Sequence, residues 1–230
     1  MQRLKNFIKK VPILRELARY GSKQFAKIGQ RDFDSTNYWE QRYIKGKNSG
    51  PGSYNQLARF KAEVLNQFVE KHGVQSVLEL GSGDGAQLAL ADYPEYLGVD
   101  VSRTIIEQVR EKFADQENLQ FLHLEDVTNE RAELTLSLDV IYHLIEDQIF
   151  SEHLTQLFDR ADRFVIIYSS NTDDSADSVH VRHRRFTDWV AANRSEFELL
   201  EKIPNRHPFD LNDQDSTSFA DFYIYGRQSA

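Results

Sequence analysis

In Val77-Leu78-Glu79-Leu80-Gly81-Ser82-Gly83-Asp84-Gly85, an apolar, β-prone run ends in an acid and then in three glycines within five residues. That pattern is how a first parallel strand delivers a nucleotide-like ligand to the segment that follows it. Glycine lets the backbone take positive φ and lets a ligand approach closely. A helix opening over residues 86–91 would add unpaired N–H groups for polar ligand atoms.

Working outward, β-prone and helical patterns alternate. Strands are expected at 76–80, 96–101, 119–124, 134–138 and 164–168. Helices are expected at 86–91, 103–113, 153–161 and 186–193. Residues 197–203 and 219–226 alternate as strands that can pair antiparallel. Upstream, Leu57, Phe60, Val64, Leu65 and Phe68 mark one face of a helix over 54–72. This succession predicts an α/β fold, a doubly wound, mostly parallel sheet covered on both faces. Residues 32–53 are aromatic and turn-rich and read as a short helix and a mobile loop, a cap or lid on the domain at 32–230.

The 230 residues carry a net charge of −8, unevenly spread. Residues 1–31 hold nine Lys/Arg and one acid; the remainder holds 19 basic and 35 acidic residues and stands at −16. A body so acidic repels nucleic acid, and no nucleic-acid partner is expected. There is no cysteine, which excludes disulfides and thiolate metal sites and makes a reducing cytoplasm the expected compartment. No uncharged apolar run approaches the ~18–20 residues of a membrane span, and no secretory signal is expected. The arm at 1–31 has helical spacing of Leu4, Phe7, Ile8, Val11, Leu14, Leu17 and Ala18, broken at Pro12. Two readings stand for it. A basic amphipathic helix can lie on an anionic membrane surface or meet a partner protein, making the chain peripheral at the inner face. It can equally dock on the acidic body.

Gly81, Gly83 and Ala86 fit the dinucleotide spacing G-x-G-x-x-G/A, and Asp100, nineteen residues after Gly81, fits its ribose-binding acid. Glu79 and Asp84 argue for a different ligand. Carboxylates there suit a cationic amino-acid end better than a pyrophosphate. Glu125-Asp126-Val127, after the third strand, offers a polar contact and an apolar wall for a purine.

From about residue 54 to 226 the chain resembles the class I S-adenosylmethionine (SAM)-dependent methyltransferases. Glu79-Leu80-Gly81-Ser82-Gly83-Asp84-Gly85 is similar to their first motif. The resemblance implies a Rossmann-like seven-stranded sheet of order 3-2-1-4-5-7-6 with the last strand antiparallel, here with an N-terminal helical extension. It implies SAM as cofactor and S-adenosylhomocysteine as product. It makes Asp100, with Val101 and Ser102, the ribose contact. Asp126 and Val127 would lie beside adenine, and Leu138 near the transferable methyl, in Leu138-Asp139-Val140-Ile141-Tyr142-His143-Leu144. A preceding helix closes over the cofactor in such enzymes, which would bring Tyr38 and Arg42 to its carboxylate. Tyr38-Trp39-Glu40-Gln41-Arg42-Tyr43, Ser169-Ser170-Asn171 and Ser218-Phe219-Ala220-Asp221-Phe222 also resemble small bacterial methyltransferases of surface-polysaccharide assembly. That implies a sugar, glycan or similar small polar acceptor.

An acceptor hydroxyl needs a base, and histidine suits neutral pH. His143, after the fourth strand, is one candidate, with Asp139 four residues away. His180 is a second, in His180-Val181-Arg182-His183-Arg184-Arg185. There Arg182, His183 and Arg184, with Asn171 and Tyr54, would hold the acceptor, or the arginines would instead pair with nearby acids. Asn205-Arg206-His207 is a third. Asp139, His143 and Asp147 have metal-ligand spacing, which a solvated helix face shares, and no metal is expected. Two other functions remain open on sequence grounds: a nicotinamide-dependent oxidoreductase, and a non-catalytic SAM-binding scaffold in glycan assembly.

Overall fold

The computed structural model describes residues 30, 33–174 and 178–228. The basic arm therefore lies outside the described residues apart from Gln30. The seven strands are β1 (Ser76–Leu80), β2 (Glu95–Asp100), β3 (Leu119–His123), β4 (Ala132–Leu138), β5 (Ala161–Ser169), β6 (Phe197–Ile203) and β7 (Asp221–Arg227). They form one sheet in the order β3-β2-β1-β4-β5-β7-β6. β1 to β5 pair in parallel, and β7 runs antiparallel to both β5 and β6. The order reverses between β1 and β4, which opens a crevice at the carboxyl ends of those strands.

The central strands are apolar on both sides because both sides are covered. Val77 points into one core with Phe60, Leu65 and Phe68 of α2 (Asn55–His72) and Ile105, Ile106 and Val109 of α3 (Arg103–Lys112). Its neighbour Leu78 points into the other, with Leu154, Leu157 and Phe158 of α4 (Asp147–Asp159) and Phe186 and Val190 of α5 (Phe186–Asn193). The split follows the two-residue period of a strand. Helix ends are set by local chemistry. Asp34 accepts from the Asn37 N–H at 2.8 Å to start α1 (Ser35–Ile44), and Ser102 Oγ accepts from the Ile105 N–H at 3.1 Å to start α3. Gly73, at φ +59°, ends α2.

Three expected elements differ. The helix expected at 86–91 is a single 3-10 turn, Leu88–Leu90. Only nine residues separate Gly85 from β2, and Asp84 Oδ1 takes the Ala86 N–H at 3.0 Å, so the chain turns back before a helix can propagate. No helix N-terminus follows the glycine loop. The helix expected from 153 starts six residues earlier, and its C-cap Arg160 leads straight into β5. β7 begins at Asp221, which leaves Phe219 outside the sheet.

Candidate functional site

The glycine loop is fastened to β2. The Gly81 and Ser82 N–H groups both donate to the Val99 carbonyl, at 2.7 and 3.0 Å. The Gly83 and Ser102 N–H groups donate to the two oxygens of Asp100, each at 3.0 Å. Gly83 sits at φ +60°, and a Cβ there would meet Ser49 Oγ at 2.4 Å, so both conformation and space call for glycine. Burial drives Glu79 of β1 and Asp100 of β2, the two acids beside this loop, upward. Glu79 is pushed to about 7, although the Tyr96 hydroxyl donates to it at 2.7 Å. Asp100 is pushed to about 6, although three backbone N–H groups favour its ionised form.

A cavity opens at this crevice. Glu79, Gly81, Ser82, Gly83, Asp100, Val101, Leu138 and Asp139 line it from the sheet. Trp39, Tyr43, Ser49 and Ser53 line it from the cap, with Lys61 of α2, Gln87, His143 and His153. Asp139 takes φ +60°, a left-handed conformation rare outside glycine. Its carboxylate receives the Lys61 ammonium at 2.6 Å and the Tyr142 hydroxyl at 2.7 Å. Among the described residues, no group of three or more His, Cys, Asp or Glu side chains is arranged to hold a metal ion.

His143 lies in the 3-10 turn Ile141–His143 and faces the cavity. Its Nδ1 is 2.8 Å from the His180 carbonyl. A carbonyl only accepts, so Nδ1 carries the proton and Nε2 carries the lone pair. Burial lowers the imidazole to about 4. Asp139 does not complete the expected pair with His143, because Lys61 and Tyr142 take its oxygens. His180 stands behind His143. Its ring stacks between Tyr38 and His143 at 5.1 and 5.5 Å, and its Nδ1 meets Ser178 Oγ at 2.6 Å. It lines none of the cavity.

Other expected site residues stand elsewhere. Asp126 is exposed and pairs with Arg103 at 3.4 Å; Leu124, rather than Asp126 or Val127, lines the cavity. Arg42 reaches the Asn48 carbonyl at 2.6 Å and lies over Trp39. Arg182 and Arg184 both pair with Asp147, and they donate to the carbonyls of Ile145 and Leu144 at 2.6–2.8 Å. The pairing with acids is thus the arrangement found, with Asp147 as the acid. His183 Nδ1 meets Ser170 Oγ at 2.7 Å, and Asn171 bonds Thr187. Tyr54 donates to Asp84 at 2.8 Å. Asn205 bonds Tyr168, and Arg206 forks onto Glu63 of α2.

Lys61 and Gln87 were not expected at the site. Lys61 had a signal: it falls on the apolar stripe of α2, four residues after Leu57 and four before Leu65, and all three are essentially fully buried. A lysine there must have a buried partner. Gln87 carried none, since it was expected in an ordinary helix.

No family model and no curated protein matches this sequence. Solved structures do match the fold. The N-methyltransferase NodS from Bradyrhizobium japonicum WM9, in complex with S-adenosylhomocysteine, aligns with a TM-score of 0.68 at 14% identity over 85% of this chain and 100% of its own. Magnesium protoporphyrin IX methyltransferase (ChlM) from Synechocystis PCC 6803, with bound SAM, aligns with a TM-score of 0.61 at 14% identity over 86% and 99%. The carbon methyltransferase CurJ aligns with a TM-score of 0.54 at 14% identity over 78% of this chain and 57% of its own. The chain has the Rossmann-like seven-stranded fold of these SAM-dependent methyltransferases.

Proposed function

We propose that this chain is a SAM-dependent methyltransferase acting on an oxygen of a sugar or similar small polar acceptor. One observation carries the cofactor reading. Glu79, Asp100 and Asp139 are three carboxylates around a glycine turn, and Lys61 is the one Lys or Arg among the described residues lining the cavity. That surplus of negative charge favours a ligand bearing sulfonium and ammonium groups over one bearing phosphates. The residues also fit such a ligand in detail: Ser82 Oγ and Gln87 Oε1 are buried without a hydrogen-bond partner among the described residues, and both residues line the cavity. A nicotinamide dinucleotide fits less well. No helix N-terminus follows the loop to receive a pyrophosphate, and Asp84 stands in its place.

SAM supplies an already activated methyl group, so the protein's task is positioning and removal of the acceptor's proton. His143 is suited to accept that proton at Nε2, because the His180 carbonyl fixes its tautomer. His180 then acts through its backbone, as an orienting residue. Val101, Leu138 and Trp39 form the apolar walls, and Asp100 is the ribose contact, held by Gly83 and Ser102. The sugar acceptor rests on the likeness to polysaccharide-linked methyltransferases in residues 38–43, 169–171 and 218–222. The arm at 1–31 fits that reading as a contact with an anionic membrane surface or a partner, and deletion of residues 1–30 should then reduce pelleting with anionic vesicles.

Calorimetry tests the donor. SAM and S-adenosylhomocysteine should bind the intact protein, and NADH should not; failure of both adenosyl ligands overturns the proposal. Comparison of cell glycans with and without the active protein should show the mass increase of one added methyl. A protein that binds SAM and changes no glycan or lysate component would instead be a scaffold.

A further inference from the structure

We infer that Lys61 and Gln87 form the subsite that reads the amino-acid end of the donor, with Lys61 taking its carboxylate and Asp139 and Gln87 taking its ammonium. The inference rests on the SAM reading above and goes beyond it by replacing Arg42, the expected carboxylate partner.

Lys61 is 1% exposed, and its ammonium sits 2.6 Å from Asp139 Oδ2 and 5.3 Å from the centre of the Tyr168 ring. An ammonium has three donors. Asp139 is its one hydrogen-bond acceptor among the described residues, so donor capacity remains at the cavity wall. Gln87 is 8% exposed and spends its amide nitrogen on the Ala58 carbonyl at 3.1 Å. Its Oε1 is buried and has no hydrogen-bond partner among the described residues. A buried acceptor left unpaired retains its desolvation penalty, and a ligand that brings a donor relieves it.

The two residues therefore present complementary halves. A cation with spare donors lies beside a carboxylate, and Gln87, which carries the unpaired acceptor, lines the same cavity. An α-amino acid is the ligand whose two charges match this set. Its carboxylate adds a second anion to Lys61, and its ammonium adds a cation to the side occupied by Asp139 and Gln87. Neither charge enters the protein interior uncompensated. Arg42 offers no comparable arrangement. Its guanidinium is engaged by the Asn48 carbonyl and lies over Trp39, and it does not line the cavity.

Two ligands separate the subsite from the rest of the site. S-adenosylhomocysteine carries the amino-acid end; 5′-methylthioadenosine carries the same nucleoside and thioether without it. Their dissociation constants are measured by calorimetry on the full chain and three variants. Lys61→Met should weaken S-adenosylhomocysteine at least about tenfold, in line with loss of a charge-assisted hydrogen bond, and leave methylthioadenosine within about twofold. Gln87→Leu should weaken the first ligand alone, by a smaller factor, and it keeps the test open if Lys61→Met fails to fold. Arg42→Ala should leave the ratio of the two affinities unchanged. The inference is overturned if the Lys61 and Gln87 variants weaken both ligands equally or neither, or if Arg42→Ala abolishes the discrimination. A wild-type protein that binds neither ligand overturns the SAM reading itself, a distinct outcome.

Discussion

Ser49 and Asp84 hold each other in both directions: the Ser49 N–H donates to Asp84 Oδ2 at 2.7 Å, and the Asp84 N–H donates to Ser49 Oγ at 2.9 Å. The Tyr54 hydroxyl adds a third bond to the same carboxylate at 2.8 Å, and the Tyr43 hydroxyl meets Ser49 Oγ at 3.0 Å. These contacts tie the cap to the glycine loop directly beside the cavity. Asp84→Ala removes the carboxylate acceptor for the Ser49 N–H and the Tyr54 hydroxyl at once. We expect faster amide exchange across residues 45–54 and SAM binding weaker by about tenfold, from loss of one or two charge-assisted hydrogen bonds. Exchange measured by mass spectrometry and calorimetry checks both; unchanged exchange would show that the cap is held elsewhere.

The buried acids predict proton release on donor binding. Glu79 is raised to about 7 and Asp100 to about 6, so both are partly protonated near pH 6.5. A cationic ligand favours their ionised forms and expels protons. Affinity for SAM should therefore rise from pH 5.5 to pH 8, on the order of several-fold. The stability sign is the opposite. A carboxyl whose folded value is raised binds its proton more tightly folded than unfolded. Its contribution thus favours folding below the ordinary value and is lost as pH rises through about 7 for Glu79. Calorimetry in buffers of different ionisation enthalpy measures the released protons. Thermal melts of wild type against Glu79→Gln isolate the Glu79 share.

His143 makes a prediction of the opposite kind. It is lowered to about 4 by burial, and His153, which meets Ser137 Oγ at 2.9 Å, is also lowered to about 4. Both are neutral throughout the physiological range, so turnover should show no acid limb from His143 above about pH 5. His143→Gln should reduce turnover by about 10²–10⁴-fold, the range for general-base removal, while SAM affinity changes by less than about threefold. As pH falls from 6.5 towards 4, both histidines must charge on unfolding, and the folded state loses stability. Imidazole titration by NMR reads both values. Full activity in His143→Gln would remove the base assignment.

The sheet was legible because its signals are local and redundant. The apolar runs of β1, β4 and β5 are buried on both faces, and the glycines of the loop sit where the chain turns tightly under Val99 and against Ser49. The helix expected after the loop is only a single turn: Leu88, Ala89 and Leu90 have helical propensity, but the turn back into β2 leaves too little chain for a helix to propagate. The site divided along the same line. Glu79 and Asp100 line the cavity where the sequence places them, in the carboxyl-terminal parts of β1 and β2. Lys61 reaches the site through tertiary packing of α2. The Arg182–Arg184 segment turned inward because Asp147 and the Leu144 and Ile145 carbonyls, thirty-five to forty residues away, satisfy its donors.

That inward turn separates a structural arginine from an acceptor-binding one by experiment. Arg184 donates to the Leu144 carbonyl at 2.6 Å and the Ile145 carbonyl at 2.7 Å, and it pairs with Asp147 at 3.1 Å. Its side chain is 11% exposed, and it covers the Phe150 ring at 4.6 Å from the centroid. Arg184→Ala leaves two carbonyls without this donor and uncovers an aromatic ring. A loss of about 2–4 kcal/mol is expected, the range for charged hydrogen bonds with buried partners. Because those carbonyls belong to the turn after His143, the loss should appear as lower stability and lower kcat together. Arg184→Lys should restore part of the stability, since a single ammonium can serve one of the two carbonyls but cannot fork across both. An anion-gripping arginine would behave differently: its loss would raise the acceptor KM at unchanged melting temperature. Denaturant melts and steady-state kinetics on the same two variants decide between them.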